Sequence, residues 1–122
     1  MAKILVAEDE SAVLELVRFS LDAAGHQVVA VSNGRDALET ARKESFDLIL
    51  LDVMMPFMDG YHVAREISED PDAPAIILLT SRDFDKDTSA VKGCGAAAFI
   101  SKPFEVTELL DVVANFAGKI DR

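Results

Sequence analysis

A carboxylate at the end of an apolar run is the residue of this sequence whose chemistry most needs an explanation. Leu48 to Leu51 are four consecutive apolar residues, which is typical of a strand buried on both faces, and Asp52 follows them directly. An ionised group at the end of a buried strand costs free energy unless a metal, a cation or a proton compensates its charge. Asp is also common where a strand leads into a Pro and Gly loop, so Asp52 could simply cap a turn. The polar residues elsewhere in the chain decide between these two interpretations.

Polar side chains follow three other apolar runs in the same way. They are Glu8 and Asp9 after residues 3–7, Thr80 after residues 75–79, and Lys102 after residues 97–101. The carboxyl ends of parallel strands meet at one edge of a sheet, where three carboxylates would repel each other unless a cation lies among them. Mg²⁺ is bound by carboxylates, carbonyls and waters, and an ammonium and a hydroxyl are suitable donors to phosphoryl oxygens. The pattern predicts a magnesium site at which Asp52 can attack a phosphorus atom and form an acyl phosphate.

Strands and helices alternate along the whole chain. The predicted strands are residues 3–7, 27–31, 47–52, 75–79 and 97–101, and the predicted helices begin near Ser11 and Gly34 and span about 61–68, 84–93 and 105–117. This alternation predicts an α/β fold, a doubly wound five-stranded parallel sheet with five helices on its two faces. The helix at 84–93 has few large apolar residues, so we expect it to be marginal.

Capping residues and apolar spacing suggest where the helices begin and end. Ser11 is a candidate cap for the first helix, and Gly25 and Gly118 are candidate ends of the first and last helices. Apolar residues recur at helical spacing along the first helix, which predicts that they face the core. They are Val13, Leu16, Val17, Leu21 and Ala24.

Composition narrows the classes of partner. The 122 residues are 50% hydrophobic and carry a formal net charge of −10, so we expect one folded domain whose partners are proteins or small ions, with no nucleic acid bound through this segment. No apolar run approaches the roughly 20 residues of a membrane span, and the acidic start does not suit a signal peptide. We therefore expect a soluble, cytoplasmic domain without membrane contact. Cys94 is the single cysteine and is expected to be inert.

Together these motifs resemble, from end to end, the receiver domain of two-component response regulators. The family's acidic pair matches Glu8 and Asp9, and its phosphoacceptor matches Asp52 ahead of a Met-Met-Pro-Phe-Met-Asp-Gly segment. Its switch hydroxyl matches Thr80, and its lysine matches Lys102 before Pro103. The resemblance implies a flavodoxin-like sheet of order 2-1-3-4-5 and a cis bond before Pro103. It also implies that Asp9 and Asp52 bind Mg²⁺ directly, Glu8 through water and Met54 through its backbone carbonyl.

The resemblance also implies a signalling cycle. A histidine kinase or a histidine phosphotransfer protein would supply the phosphoryl group as phosphohistidine. Movement of Thr80 toward the phosphate would then turn Phe99 inward and change the surface of the fourth helix, fifth strand and last helix for a downstream protein. Phe99 has no hydroxyl to leave outside, so we expect it to be mostly buried in both states; it could also be a plain core aromatic.

The chain departs from many DNA-binding members of the family. Ala97 and Ala98 replace acidic residues, and the stretch 103–118 lacks arginine, so we do not expect the salt-bridged dimer of those proteins. The residues given end soon after the last helix, which suggests either a single-domain regulator, with residues 1–122 as the receiver domain, or part of a longer protein. Arg82 could shield the acyl phosphate from water or be a solvated surface residue. Leu14 could be an exposed contact for the kinase or have no role.

Three other functions fit parts of this pattern less well. A magnesium-dependent aspartyl-phosphate phosphatase would need a second acid two residues after the nucleophile, where this chain has Met54. A receiver that only binds partners is disfavoured because every chemical position is intact. A flavin-binding protein of similar fold would need a phosphate loop after the first strand, where this chain is acidic. We therefore expect a phosphoacceptor that assists its own phosphorylation and dephosphorylation rather than an enzyme acting on an external substrate.

Overall fold

A five-stranded parallel sheet forms the centre of the molecule in a computed structural model, which describes residues 2–55, 57–81 and 94–120. The strands lie in the order β2-β1-β3-β4-β5. Their bounds are β1 Lys3–Ala7, β2 Gln27–Val31, β3 Leu48–Asp52, β4 Ala75–Ser81 and β5 Ala98–Lys102. The predicted α/β class and the strand order implied by the resemblance are confirmed. Two strand bounds match the prediction, whereas β3 begins one residue later, β4 ends two residues later and β5 is shifted by one residue.

Four helices connect and flank these strands within the described residues. They are α1 Ser11–Ala23, α2 Gly34–Lys43, α3 Gly60–Ser68 and a last helix, Val106–Ile120. The predicted helix at 84–93 lies outside the described residues. Within the ranges that the structure describes, none of the helices is both long enough and apolar enough to cross a bilayer.

Alternating side chains of the strands enter two separate cores, one on each face of the sheet. On one face, Leu5, Ile49 and Leu51 pack with buried residues of α2 and α3. On the other face, Leu48 and Leu50 pack with residues of α1 and the last helix. All five residues of β3 are buried, because helices cover both sides of this central strand. The sheet is therefore a rigid support for the residues that follow its strands.

Of the helix ends predicted from the sequence, the one at Gly25 is confirmed, whereas those at Ser11 and Gly118 are wrong. Asn33 caps α2 by accepting a hydrogen bond from the Asp36 backbone N–H at 2.8 Å, and Gly25, with φ 95°, follows the end of α1. Ser11 does not cap α1: it is the first helical residue, and the cap position is Glu10, whose side chain accepts no capping hydrogen bond. The Glu10 backbone N–H instead donates to the Glu8 carboxylate. Gly118 does not end the last helix, which continues to Ile120.

The apolar stripe of α1 is narrower than its sequence suggests. Val17 and Leu21 are fully buried, but Leu16 is 45% exposed and Ala24 is exposed as well. The prediction that these two residues face the core is wrong: among the described residues, the sheet and the last helix cover the opposite side of this helix. Phe19, which the sequence pattern did not single out, is 73% exposed on the same helix.

Candidate functional site

The carboxyl ends of β1, β3, β4 and β5 carry the polar residues predicted to act together. Strand pairing places Asp52 beside Leu79, one residue before Thr80, and places Ser101 beside Thr80, one residue before Lys102. Ala7, one residue before Glu8, pairs with Leu51, one residue before Asp52. All of these strand pairs are parallel, so their carboxyl ends lie at the same edge of the sheet. The sheet therefore brings residues more than 90 positions apart in sequence to one edge.

Lys102 lies between two buried carboxylates at this edge. Its Nζ is 2.9 Å from Glu8 Oε1 and 3.2 Å from Asp52 Oδ1. Glu8 is fully buried and Asp52 is 5% exposed. Two buried carboxylates without a counterion would carry a large desolvation penalty, so the ammonium group supplies the charge that the fold requires.

Burial and like charge alter the protonation of the site. Burial, followed by the hydrogen bond and charge of Glu8, raises the pKa of Asp52 from 3.8 to about 7, while Lys102 partly offsets this rise. Burial by itself lowers the pKa of Lys102, but the hydrogen bond to Glu8 and the charges of Asp52 and Glu8 outweigh it, so this pKa is raised. Lys102 is therefore a permanent cation near neutral pH, and Asp52 is a carboxyl close to its midpoint of ionisation.

Three carboxylates fit a small, hard cation. Oxygens of Glu8, Asp9 and Asp52 all lie within 4.8 Å of one another. Both Glu8 oxygens already accept hydrogen bonds, one from Lys102 and the other from the Glu10 backbone N–H at 3.1 Å. Glu8 therefore suits a position one water away from a cation, whereas Asp9 is exposed and available. A cavity of about 240 Å³ opens here, lined by Asp9, Glu10, Asp52, Met54 and Lys102. The donor set fits Mg²⁺.

Thr80 contributes a buried hydroxyl at the end of β4. The residue is 0% exposed, and its Oγ1 has no hydrogen-bond partner among the described residues. An unpaired buried hydroxyl is costly, and such groups in native proteins commonly mark a functional position. A hydroxyl beside the carboxylate edge is suited to donate to an oxygen of a group bound on Asp52.

The loop between β3 and α3 begins at the site itself. The Met54 backbone N–H donates to Asp52 Oδ1 at 3.3 Å, while the Met54 side chain is 72% exposed. Gly60 starts α3 against the end of β3, where a Cβ would lie 2.5 Å from the Asp52 carbonyl oxygen. The Asp59 side chain caps α3 by accepting from the His62 backbone N–H at 2.9 Å. Sequence reasoning predicted Met54 but missed the close approach at Gly60.

The structure also gives the positions of two other residues named from the sequence, Phe99 and Leu14, and the geometry of the bond before Pro103. Phe99 on β5 is partly buried and packs against the core on the α2 and α3 face. Leu14 is also partly buried, against the opposite core, so the alternative in which it is an exposed contact is wrong. The Lys102–Pro103 bond is cis, as the resemblance implied. Arg82 lies outside the described residues.

A larger cavity of about 390 Å³ lies away from this edge, between the end of α2 and the segment before β4. Two of its charged residues are already paired: Glu44 with Lys3 at 2.8 Å and Arg42 with Glu66 at 3.2 Å. The smaller cavity is the candidate site, because it adjoins the close cluster of Glu8, Asp9 and Asp52 oxygens.

A family model, described as the response regulator receiver domain, matches residues 4–114. This chain belongs to that family. Receiver domains are signalling switches of two-component systems. The alkaline phosphatase synthesis transcriptional regulatory protein PhoP of Bacillus subtilis (strain 168) is 36% identical over 107 residues, which cover 88% of this chain and 45% of that protein. The chain spans about half the length of the curated relatives it matches.

Solved receiver domains have the same fold. The signal receiver domain of a signal transduction histidine kinase from Syntrophus aciditrophicus superposes with a TM-score of 0.92 at 34% identity, covering 100% of this chain and 94% of that one. The receiver domain of the sensor histidine kinase PA1611 from Pseudomonas aeruginosa PAO1 superposes with a TM-score of 0.87 at 28% identity, covering 96% and 98%. That structure has a magnesium ion coordinated in its active site cleft.

Proposed function

We propose that this domain, residues 1–122, is a phosphorylation-dependent switch in which Asp52 accepts a phosphoryl group from a phosphohistidine donor. The observation that carries the proposal is the edge of the sheet, where a buried carboxylate lies 3.2 Å from a lysine ammonium. The buried hydroxyl of Thr80, which has no partner among the described residues, lies near the end of the neighbouring strand β4 at the same edge. This set supplies a nucleophile, a cation and a hydroxyl donor in a site that is largely shielded from water.

The transfer would use the protein groups at this edge. An Asp52 carboxylate oxygen bonds to phosphorus while the phosphorus–nitrogen bond of phosphohistidine breaks, and the leaving imidazole nitrogen keeps the electron pair. Lys102 Nζ and Thr80 Oγ1 are the donors that hold the transferred oxygens. Hydrolysis reverses the modification, because water attacks phosphorus and releases Asp52 and phosphate. The domain thus assists its own phosphorylation and dephosphorylation.

Magnesium is the proposed cofactor of this cycle. Asp9 and Asp52 would bind it directly, Glu8 through water and Met54 through its backbone carbonyl. When bound, the ion offsets negative charge on the carboxylates and on the phosphoryl oxygens. The fit of the carboxylate cluster supports this assignment, as does the magnesium in the cleft of the PA1611 receiver domain.

Thr80 and Phe99 are the proposed switch pair. Thr80 lies on β4 beside Ser101 of β5, and Phe99 lies two residues earlier on β5. Movement of the Thr80 hydroxyl toward a phosphoryl oxygen would leave space that the Phe99 ring can fill, and the surface of β5 and the last helix would change for a downstream protein. Fluorine NMR of labelled Phe99 tests this step, and a resonance that does not move on phosphorylation would contradict it.

The phosphohistidine donor would dock along α1. Leu16 and Phe19 are 45% and 73% exposed, whereas Leu14 packs inward. With the exposed residues Ala12 and Ala23 they form a stripe at spacings of four, three and four, which suits packing against another helix. The donor class is therefore a helical histidine kinase or histidine phosphotransfer domain. Binding of nucleic acid through this acidic segment is not expected, and a cytoplasmic location stays a prediction.

Intact mass after incubation with Mg²⁺ and acetyl phosphate tests the central proposal. Wild type should gain one phosphoryl group and Asp52→Asn should gain none, while Asp72→Asn, an exposed aspartate outside the site, should behave as wild type. An adduct that survives in Asp52→Asn would contradict the assignment of the acceptor. If wild type shows no adduct, beryllofluoride distinguishes rapid hydrolysis, in which it binds tightly, from a domain that only binds partners.

A second comparison tests the donor surface. Phe19→Ser should slow phosphoryl transfer from a phosphorylated histidine phosphotransfer domain about tenfold, because it removes an exposed aromatic contact of the kind that dominates interfaces. The rate with acetyl phosphate should not change, since the small donor needs no docking surface. Equal slowing with both donors would show damage to the site instead of loss of docking.

A further inference from the structure

The loop that follows Asp52 contains a residue in an unfavourable conformation. Phe57 has φ 71°, in the left-handed region that aromatic residues rarely adopt. Its side chain is 73% exposed, so burial of the ring does not explain why this conformation is retained. A strained loop residue persists only where its surroundings hold it in place.

The start of α2 supplies the contacts that hold this loop. The Arg35 guanidinium lies over the Phe57 ring, 4.6 Å from its centroid, which is within the range of a cation–π contact. One residue earlier, Gly34 lies so close to the loop that a Cβ there would be 1.8 Å from the Met58 carbonyl oxygen. The Met58 side chain packs against the core. Two adjacent residues of α2 thus contact two adjacent residues of the loop.

The same loop begins at the proposed metal site. Met54 donates its backbone N–H to Asp52 and lines the cavity of the acidic cluster. Its carbonyl is the proposed backbone ligand. Because Met54 and Phe57 are only three residues apart, the backbone conformation held at Phe57 limits the directions in which the Met54 carbonyl can point.

We propose that Arg35 is a positioning residue for Mg²⁺ binding: its contact with Phe57 holds the loop in the shape that presents the Met54 carbonyl. The inference rests on the proposed function, because it concerns the same metal site. Without the contact, Phe57 relaxes from its left-handed conformation, and only a fraction of molecules keeps the binding shape. Affinity falls by that fraction, about two- to fivefold for an exposed cation–π contact.

The sign of the effect separates positioning from simple electrostatics. Removal of a positive charge near a cation site strengthens binding of a cation, whereas loss of positioning weakens it. Arg35→Ala should therefore weaken Mg²⁺ binding, and Arg35→Lys, which keeps a cation for the ring, should restore part of it. Arg18→Ala is the matched control, because Arg18 is an exposed arginine of α1 paired with Glu15.

Phe57→Gly gives a second, independent test. Glycine adopts the left-handed region without strain and has no ring for Arg35 to contact, so Arg35 can no longer act on the loop through residue 57. In that background Arg35→Ala should have no effect on Mg²⁺ affinity. The two single variants and the double variant thus form a double-mutant cycle. Its coupling free energy should equal the whole effect of Arg35→Ala on Mg²⁺ binding in the wild-type background.

Isothermal titration with MgCl₂ measures each dissociation constant directly, without any phosphodonor. We expect a two- to fivefold rise for Arg35→Ala, a smaller rise for Arg35→Lys and no weakening for Arg18→Ala. Unchanged or tighter binding in Arg35→Ala, or an equal loss in the Phe57→Gly background, would overturn the positioning role while wild-type binding still supports the metal site. Absence of Mg²⁺ binding by wild type would overturn both.

Discussion

At the scale of single residues, Lys102 and Asp52 show how burial and neighbouring charges change the ionisation of a carboxyl. Asp52 is nearly inaccessible, has Glu8 as a neighbour of like charge and has a pKa of about 7. Lys102 prevents a still larger shift, because it contacts both carboxylates. A carboxyl near its midpoint of ionisation can lose its proton when a metal cation binds beside it, so under the proposed function cation binding would favour the ionised form of Asp52.

The pKa of Asp52 predicts how stability depends on pH in the metal-free protein. In the unfolded chain this carboxyl ionises near 3.8, so between about pH 4 and pH 7 the native state holds a proton that the unfolded state has lost. Its contribution to stability is full below pH 3.8 and is lost as the pH rises through 7.

Asp52→Asn removes this titration, because the amide is neutral at every pH. The melting temperature of the variant relative to wild type should therefore be higher at pH 8 than at pH 4.5, by roughly 5 °C or more. Thermal unfolding monitored by circular dichroism, with chelator present, measures this difference. A constant difference across this pH range would contradict the raised pKa.

Thr80→Val should leave the stability of the fold intact while weakening the binding of a phosphoryl analogue. Replacement of a buried hydroxyl that has no partner among the described residues removes a desolvation cost, so we expect the free energy of unfolding to be unchanged or to rise by about 1 kcal/mol. Binding of beryllofluoride should weaken at least tenfold, because a donor to its fluorines is lost. Urea unfolding and a beryllofluoride titration measure the two effects. A large loss of stability would instead indicate that the hydroxyl has a structural partner.

At the scale of elements, contacts between the start of α2, the end of β3 and the loop after it determine the shape of the site. Gly60 allows α3 to begin against β3, and Gly34 allows α2 to approach the loop. Gly34 is 24 residues before Met58, so its contact with the loop is not local in sequence. The helices that cover the sheet thus also support the loop that carries Met54.

Gly34→Ala should destabilise the protein by about 3 kcal/mol or more, since the added Cβ would meet the Met58 backbone carbonyl, which cannot move aside as a side chain could. Gly25→Ala is the matched comparison: a Cβ there meets no atom within 4 Å, and only the left-handed φ of 95° is penalised, by about 1–2 kcal/mol. Urea unfolding of both variants gives the two free energies. Equal losses would mean that the loop moves away from α2 at little cost.

At the scale of the whole molecule, the sheet gathers negative charge at one edge of a protein whose net charge is −10. Repulsion between the carboxylates that folding brings together therefore lowers the free energy of unfolding. A cation that binds only the folded state recovers this free energy by mass action.

Mg²⁺ should raise the melting temperature of wild type. At a hundredfold excess of the ion over its dissociation constant, the expected stabilisation is about 2.7 kcal/mol. Asp9→Asn should lose most of this shift, because it removes the exposed ligand of the cluster, whereas Asp72→Asn should keep it. Thermal melts over a series of MgCl₂ concentrations, with Ca²⁺-free buffer, measure the shift. An equal shift in Asp9→Asn would indicate nonspecific screening of charge.

The amino-acid sequence by itself determined the elements and the polar residues at their ends. The run from Leu48 to Leu51 predicted a central strand because a strand covered on both faces must be apolar at every position. The carboxylates, Thr80 and Lys102 were identified because each follows such a run. The bounds of β1 and β2 were predicted correctly, whereas Ser11 and Gly118 were misassigned, since good capping residues also occur within helices.

Only the tertiary structure decided how these residues act on one another. The raised pKa of Asp52, the ion pair of Lys102 with Glu8 and the contact of Arg35 with Phe57 all join residues that are far apart in sequence. The exposure of Leu16 and Phe19 depends on which side of α1 the sheet and last helix cover. The periodicity of a sequence indicates which positions can be buried. The distances between side chains, the interactions between their charges and the choice of which helix face is covered depend on how the elements pack together.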